Sequence, residues 1–368
     1  MRKVFIIMIG VLLLVPKCVY AEDTLASGAK SAILMEVSTG TILFEKNKDD
    51  RLSVASLTKM MAQILILEEV EKGNLKWDEK ITTSANAAGY GGTQIYLEPG
   101  EVMTASDLMK GISMSSANDA TVALAERISG SEEKFVSMMN KKAKELGLKN
   151  TNFVNPTGLD EKNHYSSAYD LAIIAKELMK HQDIFRFSSL YEDYLRQNTE
   201  NKFWLVNTNK LVRLYEGCDG LKTGYTDDAL YTMAVTAKRG NMRLLAIVLG
   251  ESVSKVRNKE TQELLDYGFN LYDVDLLKKK GEVVDKLKIS KGSKKSINAI
   301  ISDDITVLTK KSDNDKEYSE KIGSIIIYDK EEKLGEFDIV SDSSVNKNNL
   351  FKLFVQNLGN MISGKLEF

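Results

Sequence analysis

Ser56 and Lys59 stand three residues apart at the head of the apolar run at 60–70, whose sequence MMAQILILEEV leaves few polar positions. That pattern predicts a helix buried on most sides, with Gly73 as the residue that stops it. Positions i and i+3 of a helix share a face one turn apart, which sets the hydroxyl and the amine side by side. The helix N-terminus adds positive potential beneath the serine oxygen, where negative charge develops during attack. A serine so placed can be activated without histidine, provided the lysine is neutral when it acts.

Spacing alone does not single out this pair. Ser-x-x-Lys occurs five times, at Ser27, Ser56, Ser131, Ser252 and Ser344, and its ordinary meaning is an N-capping serine followed by a solvated lysine. What distinguishes Ser56 is its company: Ser116-Ala117-Asn118 and then Lys222-Thr223-Gly224 downstream. Ser-x-Asn also starts at Ser84, Ser296, Ser312 and Ser344, whereas Lys-Thr-Gly occurs once. The ordered trio is the motif set of active-site-serine, penicillin-recognising enzymes. A strand lysine is ordinarily a solvated edge charge. Thr223 and Gly224 beside Lys222 suggest instead a hydroxyl donor and a bare backbone that a ligand can approach.

Other chemistries fit poorly. His164 and His181 are the only histidines, and neither Gly-x-Ser-x-Gly nor His-Glu-x-x-His occurs, so a Ser-His-Asp triad or a zinc peptidase lacks its signature. His164 is expected to hydrogen-bond locally within its loop. A formal charge of −2 and a pI of about 6.0 argue against nucleic-acid binding. Arg2 and Lys3 precede an apolar run at 4–15, and Val19-Tyr20-Ala21 offers small residues for cleavage. Residues 1–21 therefore read as a secretory signal peptide rather than a membrane span. Its removal takes three cations and leaves a mature charge of −5, with Cys218 as the one remaining cysteine. An exported chain with one thiol has no internal disulfide and depends on its core. Cys218 has no base beside it in sequence and reads as a small buried apolar residue.

The elements that must position the trio follow from pattern. Apolar runs at 33–37 and 42–44 around Ser38-Thr39-Gly40 predict a hairpin leading toward the Ser56 helix. A short strand is expected at 93–97 and a turn at 98–101. Thr104 and Asp107 resemble a capping box for a helix at 105–111. Ser116-Ala117-Asn118 then falls between that helix and another at 119–128, where a loop can hold polar side chains toward a cleft. Further helices are expected at 131–146, from Ser167 to about 180, and at 260–271. Lys222 is placed on a strand at 217–226, ahead of a strong hairpin at 231–237 and 242–249. Length and a 43% apolar composition permit two domains: 22–274 carrying the trio, and 275–345 as a small all-β domain of strands at 283–289, 297–308, 322–328 and 334–340. Lys278-Lys279-Lys280-Gly281 reads as the linker. The tail at 346–368 has Leu350, Phe351, Phe354, Leu358, Met361 and Ile362 on one broad helical face, suited to docking on the β domain or, the reading favoured here, to lying in a membrane interface.

With these blocks in place, the chain resembles the low-molecular-mass penicillin-binding proteins, specifically the serine-type D-alanyl-D-alanine carboxypeptidases, the sporulation-associated kind included. The likeness runs from about residue 29 onward. It also rests on Glu98-Pro99-Gly100-Glu101, Asn118-Asp119-Ala120, Asn155-Pro156-Thr157-Gly158-Leu159, the segment from His164 to Asp170, and Lys222-Thr223-Gly224-Tyr225-Thr226-Asp227. The resemblance implies an α+β fold of the penicillin-binding and serine β-lactamase kind: a five-stranded antiparallel sheet with helices, a helical subdomain, and a small all-β C-terminal domain. It implies a wall enzyme on the extracytoplasmic face that acts on peptidoglycan stem peptides ending in D-Ala-D-Ala and is acylated by β-lactam antibiotics, with no metal or cofactor. Ser56 would be the nucleophile, Lys59 its base and Ser116 a proton relay. Asn118 would hold the substrate amide, Lys222 and Thr223 the terminal carboxylate, and the Ser56 and Tyr225 amides the oxyanion, with Gly224 the bare backbone between them.

One departure is Leu230, where the family usually has glycine, and the added bulk predicts reduced turnover. Val54 replaces a common proline, a change read as harmless. A β-lactamase shares the trio but lacks here a convincing Glu-x-x-x-Asn loop, and a non-hydrolytic wall-binding protein is the alternative that Leu230 suggests.

Overall fold

The computed structural model describes residues 25–288, 296–301, 304–311, 321–329 and 332–340. The expected signal peptide at 1–21 and terminal helix at 346–368 lie outside them.

Strands β1 (Ser31–Glu36) and β2 (Ile42–Lys46) form the predicted hairpin. Its turn is organised by the buried Glu36 carboxylate, which accepts from the amides and hydroxyls of Ser38 and Thr39 at 2.7–3.0 Å. A 3₁₀ turn (Ala55–Thr58) runs directly into α1 (Lys59–Glu71), and every residue from 59 to 67 is buried, as its apolar sequence requires. The short pair β3 (Lys80–Thr82) and β4 (Val102–Thr104) brackets the one-turn α2 (Ala85–Ala88). Thr104 then caps α3 (Ala105–Lys110) by accepting from the Asp107 amide at 3.1 Å. A single π-helical turn, Gly111–Ser115, follows before α4 (Asn118–Ser129).

The expected strand at 93–97 does not form, and the cause is Asp119. Its buried carboxylate accepts from the Ile95 and Leu97 amides at 3.1 and 3.0 Å, while the Asn118 amide donates to the Thr93 carbonyl at 2.7 Å. The segment therefore wraps the start of α4 instead of joining a ladder. Its backbone groups are satisfied without a sheet.

Ser131 and Ser167 cap α5 (Glu132–Glu145) and α6 (Ala168–Leu178). The short α7 (Phe185–Ser188), a hairpin of β5 (Glu192–Leu195) and β6 (Phe203–Val206), and α8 (Leu211–Leu214) lead to three long strands. These are β7 (Cys218–Thr226), β8 (Leu230–Arg239) and β9 (Met242–Glu251). The last helix of this unit, α9 (Ser254–Leu271), begins at 254 rather than at 260.

The five-stranded sheet has the order β2-β1-β9-β8-β7 and every pairing is antiparallel. Both of its faces are covered, so the central strand β9 is buried along nearly its whole length. Leu245, Ile247 and Leu249 join the core of α1, α4 and α6, whereas Leu244, Ala246 and Val248 join the core against α9. Burial of each such leucine, isoleucine or valine side chain contributes about 1.5–3 kcal/mol. This double-sided anchorage fixes β7 and α1, the two elements that carry Lys222 and Lys59.

Beyond α9 the described residues are β-structured. Strand β10 (Tyr272–Lys278) pairs with β13 (Ile305–Lys310), β11 (Val283–Lys288) with β12 (Ser296–Ile300), and β14 (Lys321–Asp329) with β15 (Glu332–Val340). The single run expected at 297–308 is thus two strands belonging to different pairs. No helix among the described residues is long and apolar enough to cross a membrane.

Candidate active site

Ser56 occupies the 3₁₀ turn ahead of α1, and Lys59 is the first residue of the helix. Lys59 Nζ lies 2.8 Å from Ser56 Oγ and donates to the Thr157 carbonyl at 2.7 Å. The Thr157 carbonyl is aimed by a loop built on Asn155. Its Oδ1 accepts from the Thr157 amide and hydroxyl and from the Gly158 amide at 2.7–3.1 Å. Gly158 has φ +85°, and a Cβ there would lie 1.9 Å from the Ala55 carbonyl oxygen. Glycine at 158 is therefore what lets this loop press against the turn that holds Ser56.

The lysine is fully enclosed. Burial, then the neighbouring Lys222, hold the Lys59 amine well below its ordinary range, against a smaller opposing pull from Asp119. Lys222 is itself buried, and burial followed by the charge of Arg257 lowers it to about 7. Arg257, on α9, is lowered to about 10 chiefly by burial. Two lysines and an arginine thus share one enclosed region, where Arg257 makes protonated Lys222 costlier and Lys222 does the same to Lys59. Such a site favours a neutral Lys59 and attracts a carboxylate.

Lys222, Thr223, Gly224 and Tyr225 follow one another on β7. Lys222 Nζ donates to the Thr223 carbonyl at 2.8 Å, and Thr223 Oγ1 donates to Thr208 Oγ1 at 2.7 Å. A Cβ on Gly224 would lie 2.6 Å from Thr232 Oγ1 and 2.9 Å from the Ser56 amide nitrogen. The absence of a side chain there brings β7 against the nucleophile turn. Tyr225 is about half exposed, and its ring meets Tyr231 at 4.5 Å between centroids.

Ser116 ends the π-helical turn in a left-handed conformation, φ +67°, and Asn118 opens α4. Asn118 Nδ2 donates to the Gly91 carbonyl at 2.7 Å. Ser116 Oγ and Asn118 Oδ1 are buried with no hydrogen-bond partner among the described residues, a condition that native proteins reserve for special purposes. The π turn is fastened to both other segments. Gln63 of α1 donates to Ser113 Oγ at 2.8 Å, and the Thr208 amide donates to the Met114 carbonyl at 2.9 Å while its hydroxyl holds Thr223. Ala55 and Ser116, one beside the nucleophile and one in the second motif, both carry positive φ, and strained backbone of this kind gathers at functional sites.

All eight residues picked out from sequence are therefore held in three segments that the structure ties together. Two of the other motif-spaced serines, Ser131 and Ser84, behave as ordinary structural residues. Ser131 caps α5, and Ser84 caps α2 and donates to Glu126. Cys218 is buried, and burial raises its thiol to about 11, consistent with an inert apolar role. His164 reaches further than its own loop. The Val154 amide donates to Nδ1 at 3.2 Å, which leaves Nε2–H to donate to Thr58 Oγ1 at 2.8 Å. Burial lowers it to about 4, so it is a neutral brace between that loop and the Ser56 turn. Sequence reasoning assigned no role to Asn155, Thr157, Gly158 or Arg257. The first three lay in a block noticed only for its resemblance.

Known proteins match this geometry along most of the chain. A family model described as D-alanyl-D-alanine carboxypeptidase, of peptidase family S11, covers residues 19–253, and one for the C-terminal domain of penicillin-binding protein 5 covers 272–320. The chain belongs to the serine D-alanyl-D-alanine carboxypeptidases of family S11. It is 50% identical to D-alanyl-D-alanine carboxypeptidase DacF of Bacillus subtilis over 87% of this chain and 84% of that one. Against DacC of Escherichia coli the identity is 34%, over 71% and 67%. Penicillin-binding protein 5 of Haemophilus influenzae superposes with a TM-score of 0.71 at 29% identity, covering 87% of this chain and 97% of that one. Penicillin-binding protein D2 of Listeria monocytogenes, solved in an ampicillin-bound form, gives 0.60 at 34%, over 66% and 97%. The fold is the penicillin-binding and β-lactamase-like one expected, with a small C-terminal unit of β character. This S11 chain is a serine DD-carboxypeptidase, and the β-lactamase and non-hydrolytic alternatives gain no support from its relatives.

Proposed function

We propose that this enzyme removes the terminal D-alanine from peptidoglycan stem peptides through an acyl-enzyme on Ser56, on the extracytoplasmic face of the cell. The observation that carries the residue assignments is the enclosed Lys59 amine, 2.8 Å from Ser56 Oγ and aligned by the Thr157 carbonyl. Neutral Lys59 accepts the Ser56 proton as Oγ attacks the carbonyl between the two D-alanines. The Ser56 and Tyr225 amides receive the oxyanion at the close approach of β7 to the nucleophile turn. Lys222 and Thr223 hold the terminal carboxylate, which restricts the reaction to free C-termini, and Gly224 gives that carboxylate and its residue room along the strand. Ser116 passes the proton to the departing D-alanine amine while Asn118 holds the substrate amide. Water then cleaves the Ser56 ester to release the shortened peptide and restore the serine. β-Lactams enter the same sequence at the attack step and remain as the ester.

The test is release of D-alanine from a peptide ending in D-Ala-D-Ala. Wild type is expected to release it stoichiometrically with peptide shortening, and Lys59→Ala to slow acylation severely. Penicillin acylation without D-alanine release from any stem peptide would argue for a non-hydrolytic binder.

A further inference from the structure

We infer that the cavity walled by the segment from Ile95 to Thr104 is a saccharide subsite, taking the glycan that carries the stem peptide. The inference rests on the stem-peptide reading above. The cavity has a volume of about 860 Å³ and lies between the β3–β4 pair and the β5–β6 hairpin, within the size range of small-molecule sites.

One wall is Tyr96, 69% accessible although its backbone is rigidly held. Tyr96 has φ +56°, a conformation costly for an aromatic residue. The flanking Ile95 and Leu97 amides are bound by Asp119, and the Ile95 and Tyr96 carbonyls by Arg196 at 3.1 and 3.3 Å. Phe203 supports the Tyr96 ring edge-on at 6.0 Å between centroids. A strained backbone presenting a large ring to solvent forms a preorganised apolar platform.

The polar lining suits a neutral, hydroxyl-rich ligand. The Arg196 guanidinium closes on the Glu101 carboxylate at 2.6 Å. Asp107 accepts from Thr104 Oγ1 at 2.9 Å and faces Lys110 at 3.7 Å. With Lys80 and Arg196 set against Glu98, Glu101 and Asp107, the lining carries a net charge of only −1, which repels an anion and gives a cation little hold. Thr199 and Asn201 add a hydroxyl and an amide to the lining. Flat apolar platform, amide, hydroxyl and low net charge together match the alternating apolar faces and hydroxyl edges of a sugar ring. The Asp119 carboxylate that pins this wall stands one residue after Asn118, so the wall is fastened to the start of α4.

The test has two arms. Isothermal titration of the wild-type chain with a peptide-free β-1,4-linked N-acetylglucosamine tetrasaccharide is expected to show saturable binding. Tyr96→Asn, which tolerates the same φ but lacks the ring, is expected to weaken it about tenfold, a change that titration resolves. Asn201→Ala serves as a second variant should Tyr96→Asn misfold, with penicillin acylation as the folding control. In the kinetic arm, KM for D-alanine release from a disaccharide-linked stem peptide is expected to be about tenfold below that of the free peptide. Tyr96→Asn should erase that advantage and leave the free-peptide reaction unchanged. No saturable saccharide binding, equal KM values in wild type, or an equal loss on free peptide would each overturn the subsite. Failure of D-alanine release with saccharide binding intact would instead count against the catalytic reading.

Discussion

Lys59 and Thr157 are 98 residues apart in sequence, and the Lys59 amine donates to the Thr157 carbonyl at 2.7 Å. That bond orients a buried amine toward Ser56 and occupies one of its protons, leaving the nitrogen lone pair for the serine. The carbonyl owes its direction to Asn155, whose side chain binds three consecutive donors of the loop.

Asn155→Ala removes all three bonds and should loosen the Thr157 carbonyl. Each lost bond to a buried donor costs on the order of 1–3 kcal/mol, so stability should fall by several kcal/mol at most. Penicillin acylation should slow by about tenfold to a hundredfold. Stopped-flow acylation rates beside thermal melts check this. An unchanged rate in a folded Asn155→Ala protein would show that the loop does not position Lys59.

Lys222 predicts a particular pH dependence of stability. Its folded-state value is about 7 against an ordinary 10.5, so between those values the unfolded chain binds the extra proton. Stability from this group therefore rises with pH from about 7 to 10, by up to about 1.4 kcal/mol per unit. Denaturant titrations of wild type and Lys222→Met at pH 7, 8 and 9 should show the stability difference shifting in favour of wild type as pH rises. A flat or reversed difference would contradict the enclosed-cation account.

Leu230 stands at φ +56° at the start of β8. The family's usual glycine thus suits the backbone here as well as leaving room, a reason that bulk alone does not give. Leu230→Gly should relieve about 1–2 kcal/mol of strain, partly offset by glycine's greater chain entropy, and leave turnover unchanged or higher. A melting temperature that drops, together with slower D-alanine release, would mean that Leu230 contributes packing the site needs.

The tail at 346–368 is proposed as an interfacial helix. At about 25 cal/mol per Å² of apolar surface buried, Phe351, Phe354 and the several aliphatics of its apolar face could supply several kcal/mol, enough for reversible attachment. Truncation after Asn346 should abolish co-sedimentation with liposomes and spare penicillin acylation, since Ser56, Ser116 and Lys222 all precede β10. Full-length mature protein that never sediments would refute the membrane role.

Much of the site was legible because catalytic side chains leave their types in the sequence. Ser56 and Lys59 are singled out by the Ser-Ala-Asn and Lys-Thr-Gly segments that follow them in order, and the buried α1 by its unbroken apolar run. Backbone groups leave no such mark. The Thr157 carbonyl and the left-handed Ser116 are visible only once the chain is folded. The strand expected at 93–97 failed because a carboxylate more than twenty residues away, on Asp119, satisfies its amides. Local alternation cannot report a distant acceptor. The run at 297–308 likewise gave no sign of being split between two pairs, since both halves have the composition of strands.

The central claim is that Ser56 alone becomes covalently acylated, with Lys59 as its base. Intact-mass spectrometry after incubation with benzylpenicillin tests it most directly. Wild type should gain one adduct, mapped by peptide digestion to Ser56; Ser56→Ala should gain none, and Ser27→Ala and Ser131→Ala should behave as wild type. A stoichiometric adduct that persists in Ser56→Ala, or one mapped to another serine, would contradict the account.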